Sequence, residues 1–153
     1  MYGSIYNRCM RCLFVFTLVL LTSSFTYGEK CSLMSEDEID QDEKVVVEGK
    51  TLYFCCGSCV TKFDQDRAYY IKAVKSLYDR FTPSEREKLG VDQVKLLDQR
   101  YCPVYPDRLV GPNSPTVEHK GKTIRLWSSS ATRRWNRDPE RYYEAAVAAG
   151  VLK

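Results

Sequence analysis

Two stretches of the chain set apolar, β-branched and aromatic residues on either side of a shared Gly-Lys-Thr, and each reads as a pair of half-buried strands that fold back there. The first, V-V-V-E-G-K-T-L-Y-F, covers residues 45–54, and the second, T-V-E-H-K-G-K-T-I-R-L-W, covers 116–127. The tripeptide falls at 49–51 and again at 121–123, an offset of 72 residues. Both stretches are predicted to be β-hairpins turning at the Gly-Lys. After each hairpin the apolar residues recur with the period of a helix. Tyr70, Ile71, Val74 and Leu77 form one stripe, and Tyr142, Tyr143, Ala146 and Val147 form another that stops at Gly150. Both stripes read as core. Asp138-Pro139-Glu140 opens the last helix with an N-cap and a proline at the first helical position.

The repeat extends beyond the hairpins. Cys31-Ser32-Leu33-Met34 leads into the first and on to Cys55, Phe63, Asp66 and Tyr70, while Cys102-Pro103-Val104-Tyr105 leads into the second and on to Ser128, Trp135, Asp138 and Tyr142. The fold class implied is α+β: two small tandem modules, each a cysteine knuckle plus β-hairpin followed by helix, at 29–81 and 101–153. Residues 82–100 form a helical connector. Thr82-Pro83-Ser84-Glu85 is a capping box that starts its helix and Gly90 ends it, with Val91–Gln99 predicted to add another turn or two that packs Val94 and Leu97. A module of about 50 residues buries little core alone and commonly needs a metal, a disulfide or a partner.

Ahead of the repeats, Arg8 and Arg11 precede the apolar run Leu13–Leu21 and then T-S-S-F-T-Y-G, the three-part plan of a secretory signal peptide cleaved after Gly28. The apolar run falls short of the about 20 residues a membrane helix needs, so the expectation is a secreted protein, periplasmic in a Gram-negative source, without stable membrane insertion after cleavage. Cys9 and Cys12 fall within the removed segment, 1–28. From Glu29 onward there are 21 basic and 20 acidic residues, a balance that gives no reason to expect nucleic acid. The charges are unevenly placed. Residues 29–81 hold 8 basic and 11 acidic groups, and residues 101–153 hold 9 and 5. The acidic run Ser35–Glu43 and the basic run Arg133–Arg141 are either solvated surfaces or faces that meet, within one molecule or between two.

Five cysteines remain, Cys31, Cys55, Cys56, Cys59 and Cys102, and an odd number does not suit a simple disulfide framework. Three of them fall in T-L-Y-F-C-C-G-S-C-V-T-K-F, residues 51–63, which reads as a strand, a tight turn and a helix starting near Cys59 with Ser58 as N-cap. A thiol at a helix N-terminus faces unpaired N–H groups and the positive end of the dipole, which favours the thiolate. Cys55 and Cys59, four apart, would share a helical face. Cys56 points inward or about 100° away according to where the helix begins. Cys31 arrives from the knuckle with Met34 three residues on. Three thiolates with a thioether suit Cu(I); with Cys56 as fourth ligand they suit Zn(II). The acidic stretch 36–43 lacks the ligand spacing of a calcium loop. Nothing supports catalysis: His119 reads as a surface strand histidine, and phosphate-binding loops and zinc-protease motifs are absent. The chain is therefore expected not to be an enzyme.

Cys31-x-x-Met34, the G-K-T-L-Y-F-C-C-G-S-C hairpin and turn, Phe63, and Asp66 with Tyr70 resemble a YHS or TRASH-type domain, a small cysteine module associated with heavy-metal binding, sensing and trafficking. The resemblance covers the first repeat. It implies a ligand set of Cys31, Cys55 and Cys59. Many such domains carry a second cysteine in the first knuckle where this chain has Met34, so the fourth ligand stays open between Cys56 and Met34. In the second repeat Trp127, Ser128 and Ala131 stand where Cys55, Cys56 and Cys59 stand in the first, and Tyr105 stands where Met34 does. That copy reads as a scaffold or a protein-partner-binding half, with Trp127 and Trp135 filling with apolar volume what metal stabilises in the first. Two other readings compete. Export to an oxidising compartment suits a disulfide-stabilised structural or interaction protein, with Cys31 bonded to a turn cysteine. Cys56-Gly57-Ser58-Cys59 at a helix start resembles the C-G-x-C of a thiol–disulfide redox protein, although a β-α-β pattern before it is missing.

Overall fold

The computed structural model describes residues 29–153. The expected signal peptide lies outside the described residues. The chain is mixed helix and sheet. Strand β1 (Asp40–Val47) pairs antiparallel with β2 (Lys50–Phe54), and β3 (Thr116–His119) pairs antiparallel with β4 (Lys122–Arg125), in two separate two-stranded sheets. Among the described residues there are six helices: α1 (Gly57–Gln65), α2 (Arg67–Ala73), α3 (Lys75–Tyr78), α4 (Pro83–Lys88), α5 (Ser129–Trp135) and α6 (Pro139–Ala148).

The hairpins match in register, Val45 facing Leu52 in one and Val117 facing Ile124 in the other. Their turns sit one residue earlier than the Gly-Lys. Glu48 and Gly49 have φ of 47° and 75°, and Lys120 and Gly121 have 50° and 72°, so each hairpin closes on a two-residue turn with both central residues left-handed. Lys50 and Lys122 already belong to the returning strands. β1 is longer than its partner. Between the Asp40–Phe54 and Lys44–Tyr53 pairs, Gln41, Asp42 and Glu43 have no partner on β2 and bulge from the ladder. Part of the acidic run is therefore a strand extension and not a loop.

The connector begins as its sequence suggests. Thr82 Oγ1 accepts from Glu85 N at 3.3 Å and Glu85 Oε2 accepts from Thr82 N at 2.7 Å, the reciprocal capping box. Glu85 also pairs with Lys50 of β2, and these contacts hold its carboxyl down at about 2. Gly90 and Gly150, both left-handed, end α4 and α6 with the paired bonds of a Schellman motif: Val91 N to Arg86 O at 2.9 Å, and Val151 N to Ala146 O at 2.8 Å. Residues 91–99 are not helical; Val91 is fully buried in a turn and Val94 and Leu97 are half-buried. The first apolar stripe is likewise interrupted. Val74 is extended (φ −112°, ψ 113°) and separates α2 from α3, and the Arg100 guanidinium bonds the Ala73 carbonyl at the break. In the second stripe Ala146 is buried, but Val147 is 43% exposed and faces solvent.

The buried residues form one continuous cluster from Cys31 to Leu152. Its two ends of sequence meet at the knuckles. Met34 bridges Arg108, Leu109 N donates to Leu33 O at 3.0 Å, and Ser35 N donates to Asp107 O at 3.1 Å. A second joint lies at Asp66, whose carboxylate accepts from Asn113 N at 3.2 Å and Asn113 Nδ2 at 2.7 Å. Gly111 closes that joint. A Cβ there would stand 2.6 Å from Tyr70 Oη and 2.9 Å from Asp66 Oδ2, and Tyr70 is too buried to move aside. Gly111→Ala is expected to destabilise the protein by about 1–3 kcal/mol, the usual cost of overpacking. The midpoint of denaturant unfolding reads this, and an unchanged midpoint would show that the joint is slack.

Candidate metal centre

Cys55 ends the strand segment, and Cys56 is the turning point after it. Cys56 has extended backbone (φ −168°, ψ 161°) and is the N-cap of α1, its carbonyl accepting from Cys59 N at 3.0 Å and Val60 N at 3.3 Å. The helix thus begins at Gly57, two residues before the position expected from Ser58 as N-cap. Cys55 lies outside it, so the shared helical face is not what joins Cys55 to Cys59. The reversal at Cys56 does so instead, folding the strand end back over the first turn of α1. Cys59 and Phe63 point from that helix into the core, where Phe63 packs its ring 5.1 Å from that of Phe54.

Five sulfur-bearing residues converge on this point. Cys31, Cys55 and Cys59 place their Sγ atoms within 4.8 Å of one another, a grouping that could hold a metal ion. Cys59 Sγ lies 3.8 Å from that of Cys31 and 3.5 Å from that of Cys55. Cys56 Sγ lies 3.7 Å from both Cys55 and Cys59. Met34 Sδ lies 3.7 Å from Cys55 Sγ. Four ligands about 2.3 Å from a tetrahedral ion stand about 3.8 Å apart, a spacing close to that of the Cys31–Cys59, Cys55–Cys59, Cys55–Cys56 and Cys56–Cys59 pairs. Cys56 makes two such contacts and Met34 one. All five cysteines among the described residues are free thiols.

Close packing makes these thiols titrate unequally. The hydrogen bond with Cys59 brings Cys31 down to about 5 against the opposing effect of burial. That same bond, with burial, drives Cys59 strongly up. Burial and the bond to Cys31 push Cys55 up to about 12. Burial also pushes Cys56 up, but the Ser58 hydroxyl 3.0 Å away and the Cys59 backbone outweigh it, and the net shift is downward. The centre therefore settles on thiolate character at Cys31, with a second favoured position at the half-exposed Cys56. Exposure is one-sided: Cys31 and Cys59 are buried while Cys55 and Cys56 reach the surface.

Three neighbours have roles at the site that the sequence did not indicate. The Glu43 carboxylate packs against Gly57, 3.5 Å from where a Cβ would sit. Ser58 bonds the Cys56 thiol instead of capping the helix. Lys62, one helical turn past Cys59, lies with its ammonium 4.6 Å from the centre of the Trp127 ring. Only that i+3 spacing could have marked Lys62 in advance.

The corresponding positions of the second hairpin hold no sulfur cluster. Ser128 is the N-cap of α5 with the same extended backbone as Cys56 (φ −159°, ψ 172°), and its hydroxyl accepts from Ala131 N at 3.3 Å. Cys102 is fully buried and accepts the Trp127 N–H at 3.3 Å. Burial raises its thiol. His119 is packed more deeply than a surface histidine, edge-on to Trp135 with Nε2 3.4 Å from Glu140 Oε1.

No family model, curated protein or solved structure matches the chain.

Reactivity should follow exposure and thiolate character. Limited alkylation of the reduced, metal-free protein is expected to modify Cys56 first and the fully buried Cys59 and Cys102 last, as read by peptide mass mapping. Early modification of Cys102 would contradict the burial described here.

Proposed function

We propose that this is a non-catalytic metal-binding protein whose site is Cys31, Cys55 and Cys59 completed by Cys56, and that its ion is a soft or borderline transition metal, Zn(II) or Cu(I). The observation that carries the reading is the close grouping of the sulfurs: those of Cys31, Cys55 and Cys59 lie within 4.8 Å of one another, and that of Cys56 lies 3.7 Å from both Cys55 and Cys59. Four thiolates favour Zn(II); a three-coordinate site, or one that takes Met34 as its thioether, favours Cu(I). Cys56 is preferred as fourth ligand because it approaches two members of the triad. The likeness of residues 29–81 to YHS and TRASH-type modules agrees with a role in metal handling or sensing. The matching hairpin registers and N-cap geometries agree with a tandem repeat whose second copy lost its ligands and serves as scaffold. The leader-like start agrees with a secreted or periplasmic location.

A thiol–disulfide role is favoured by one observation, the half-exposed Cys56 at a helix N-cap, 3.7 Å from buried Cys59. The additional sulfurs of Cys31 and Cys55 at similar distances favour metal over that reading. Metal analysis of reduced, loaded protein separates the two. Cys59→Ser is expected to abolish stoichiometric binding and Cys102→Ser to leave it intact. Equal loss in both variants, or no metal retained by the parent protein, would remove the proposal. A further pair identifies the fourth ligand: Cys56→Ser should weaken binding by at least about tenfold, whereas Met34→Leu should change it little. The reverse order would assign the thioether as ligand.

A further inference from the structure

Two charged surfaces contribute no sulfur ligand to the candidate metal centre. Arg133 and Arg134 lie on α5, Arg137 in the turn after it and Arg141 in the first turn of α6, all exposed. Among the described residues none of the four pairs with a carboxylate. Two are held in place by aromatic rings: Arg134 lies 5.3 Å from the Tyr105 ring, which also carries Arg108 at 4.3 Å, and Arg141 lies 5.9 Å from the Tyr142 ring. Stacking fixes a guanidinium while leaving its N–H fork free.

The acidic surface runs through the first knuckle and the start of β1. Glu36, Asp37, Glu38, Asp40 and Asp42 are exposed, and only Glu38 has a basic partner, Lys30 at 3.6 Å. The bulge at Gln41–Glu43 carries Asp42 away from the β2 ladder. No ion pair joins the acidic and basic surfaces within the molecule.

We propose that copies of this chain associate head to tail, the acidic surface of one docking on the arginine surface of the next. A second copy fits better than another anion because five carboxylates meet four guanidiniums, both displayed on ordered backbone. From residue 29 onward 21 basic residues balance 20 acidic ones, so copies feel little net repulsion as they approach. A nucleic acid would be repelled by the acidic surface. Because the two surfaces differ, the contact is heterologous, and each added copy leaves one acidic and one basic face open. Each exposed pair adds about two- to fivefold in affinity, and screening over about 8 Å at physiological salt makes the association salt-sensitive. This inference is independent of the metal reading.

Sedimentation velocity of the full-length protein at about 0.05 M and about 0.5 M salt tests it. Association at low salt that reverses at high salt is the expected result, and a monomer under both conditions overturns the proposal, including one that binds a polyanion such as heparin. Two double variants then locate the contact, Glu36→Lys with Asp42→Lys and Arg133→Glu with Arg137→Glu; none of these side chains bonds within the molecule, and circular dichroism verifies folding. Each variant alone should be monomeric, while an equimolar mixture should form a one-to-one dimer through the intact face of each. Continued self-association of either variant, or a mixture that stays monomeric, would overturn it.

Discussion

Cysteine sulfurs packed within 4.8 Å of one another cannot all carry charge without a cation among them. Neighbouring thiolates repel one another, and a low-dielectric surrounding strengthens the repulsion. The chain meets this constraint by concentrating negative charge at Cys31, where a hydrogen bond with Cys59 favours it, and by keeping Cys55 and Cys59 protonated. Such a cluster is complete in position but not in charge. A divalent or soft monovalent ion would relieve the repulsion and take the place of the thiol protons, which is why ion binding to cysteine sites releases protons and adds to folding stability. The energetic conflict in the free thiols is thus itself an argument for a cation.

Holding the sulfurs in this arrangement calls on both halves of the chain. Cys55, Cys56 and Cys59 are positioned locally, by the end of β2, an extended N-cap and the first turn of α1. Cys31 and Met34 come from a knuckle whose backbone is fastened to the second knuckle by the Met34–Arg108 bridge and the Leu33–Leu109 bond. The second half supplies its own stability differently. Trp135 occupies the place along α5 that Phe63 occupies along α1, and both are buried; Trp127 follows β4 as Cys55 follows β2. Where the first half gathers polarizable ligands, the second gathers large rings, and burial of such a ring contributes more than one free thiol does.

The parts of this architecture legible in sequence are those set by local chemistry. Strand-favouring residues around a glycine in each turn mark the hairpins, Thr82 with Glu85 marks a cap, and Gly90 and Gly150 mark helix ends, because each depends on residues close to one another along the chain. The misread features depend on what lies farther away. Cysteine is a poor N-cap by side chain, which points to Ser58 in the sequence; in the structure Cys56 caps the helix through its extended backbone and carbonyl, with no side-chain bond. Val74 fits a helical stripe, but Arg100 from the connector takes the carbonyl bond that helix continuation would need. Val147 also fits a stripe, but α6 packs on a narrow face at Ala146 and leaves the next position in solvent. The residues of the candidate site could be named from spacing and softness alone, whereas the bond that makes Cys31 acidic crosses 28 residues of chain and could not.

One-sided exposure gives the metal reading a direction. Cys31 and Cys59 close the inner side of the centre, and Cys55 with Cys56 form its outer side. An ion arriving from solvent would meet Cys56 first, the outer thiol whose proton is more easily lost. Glu43 stands beside that position against Gly57, and the exposed carboxylates of β1 continue from it. A surface of one sign raises the local concentration of oppositely charged ions and their rate of capture. The acidic run lacks the geometry to hold a cation itself, and Glu43 brings its end beside the more exposed thiols of the cluster.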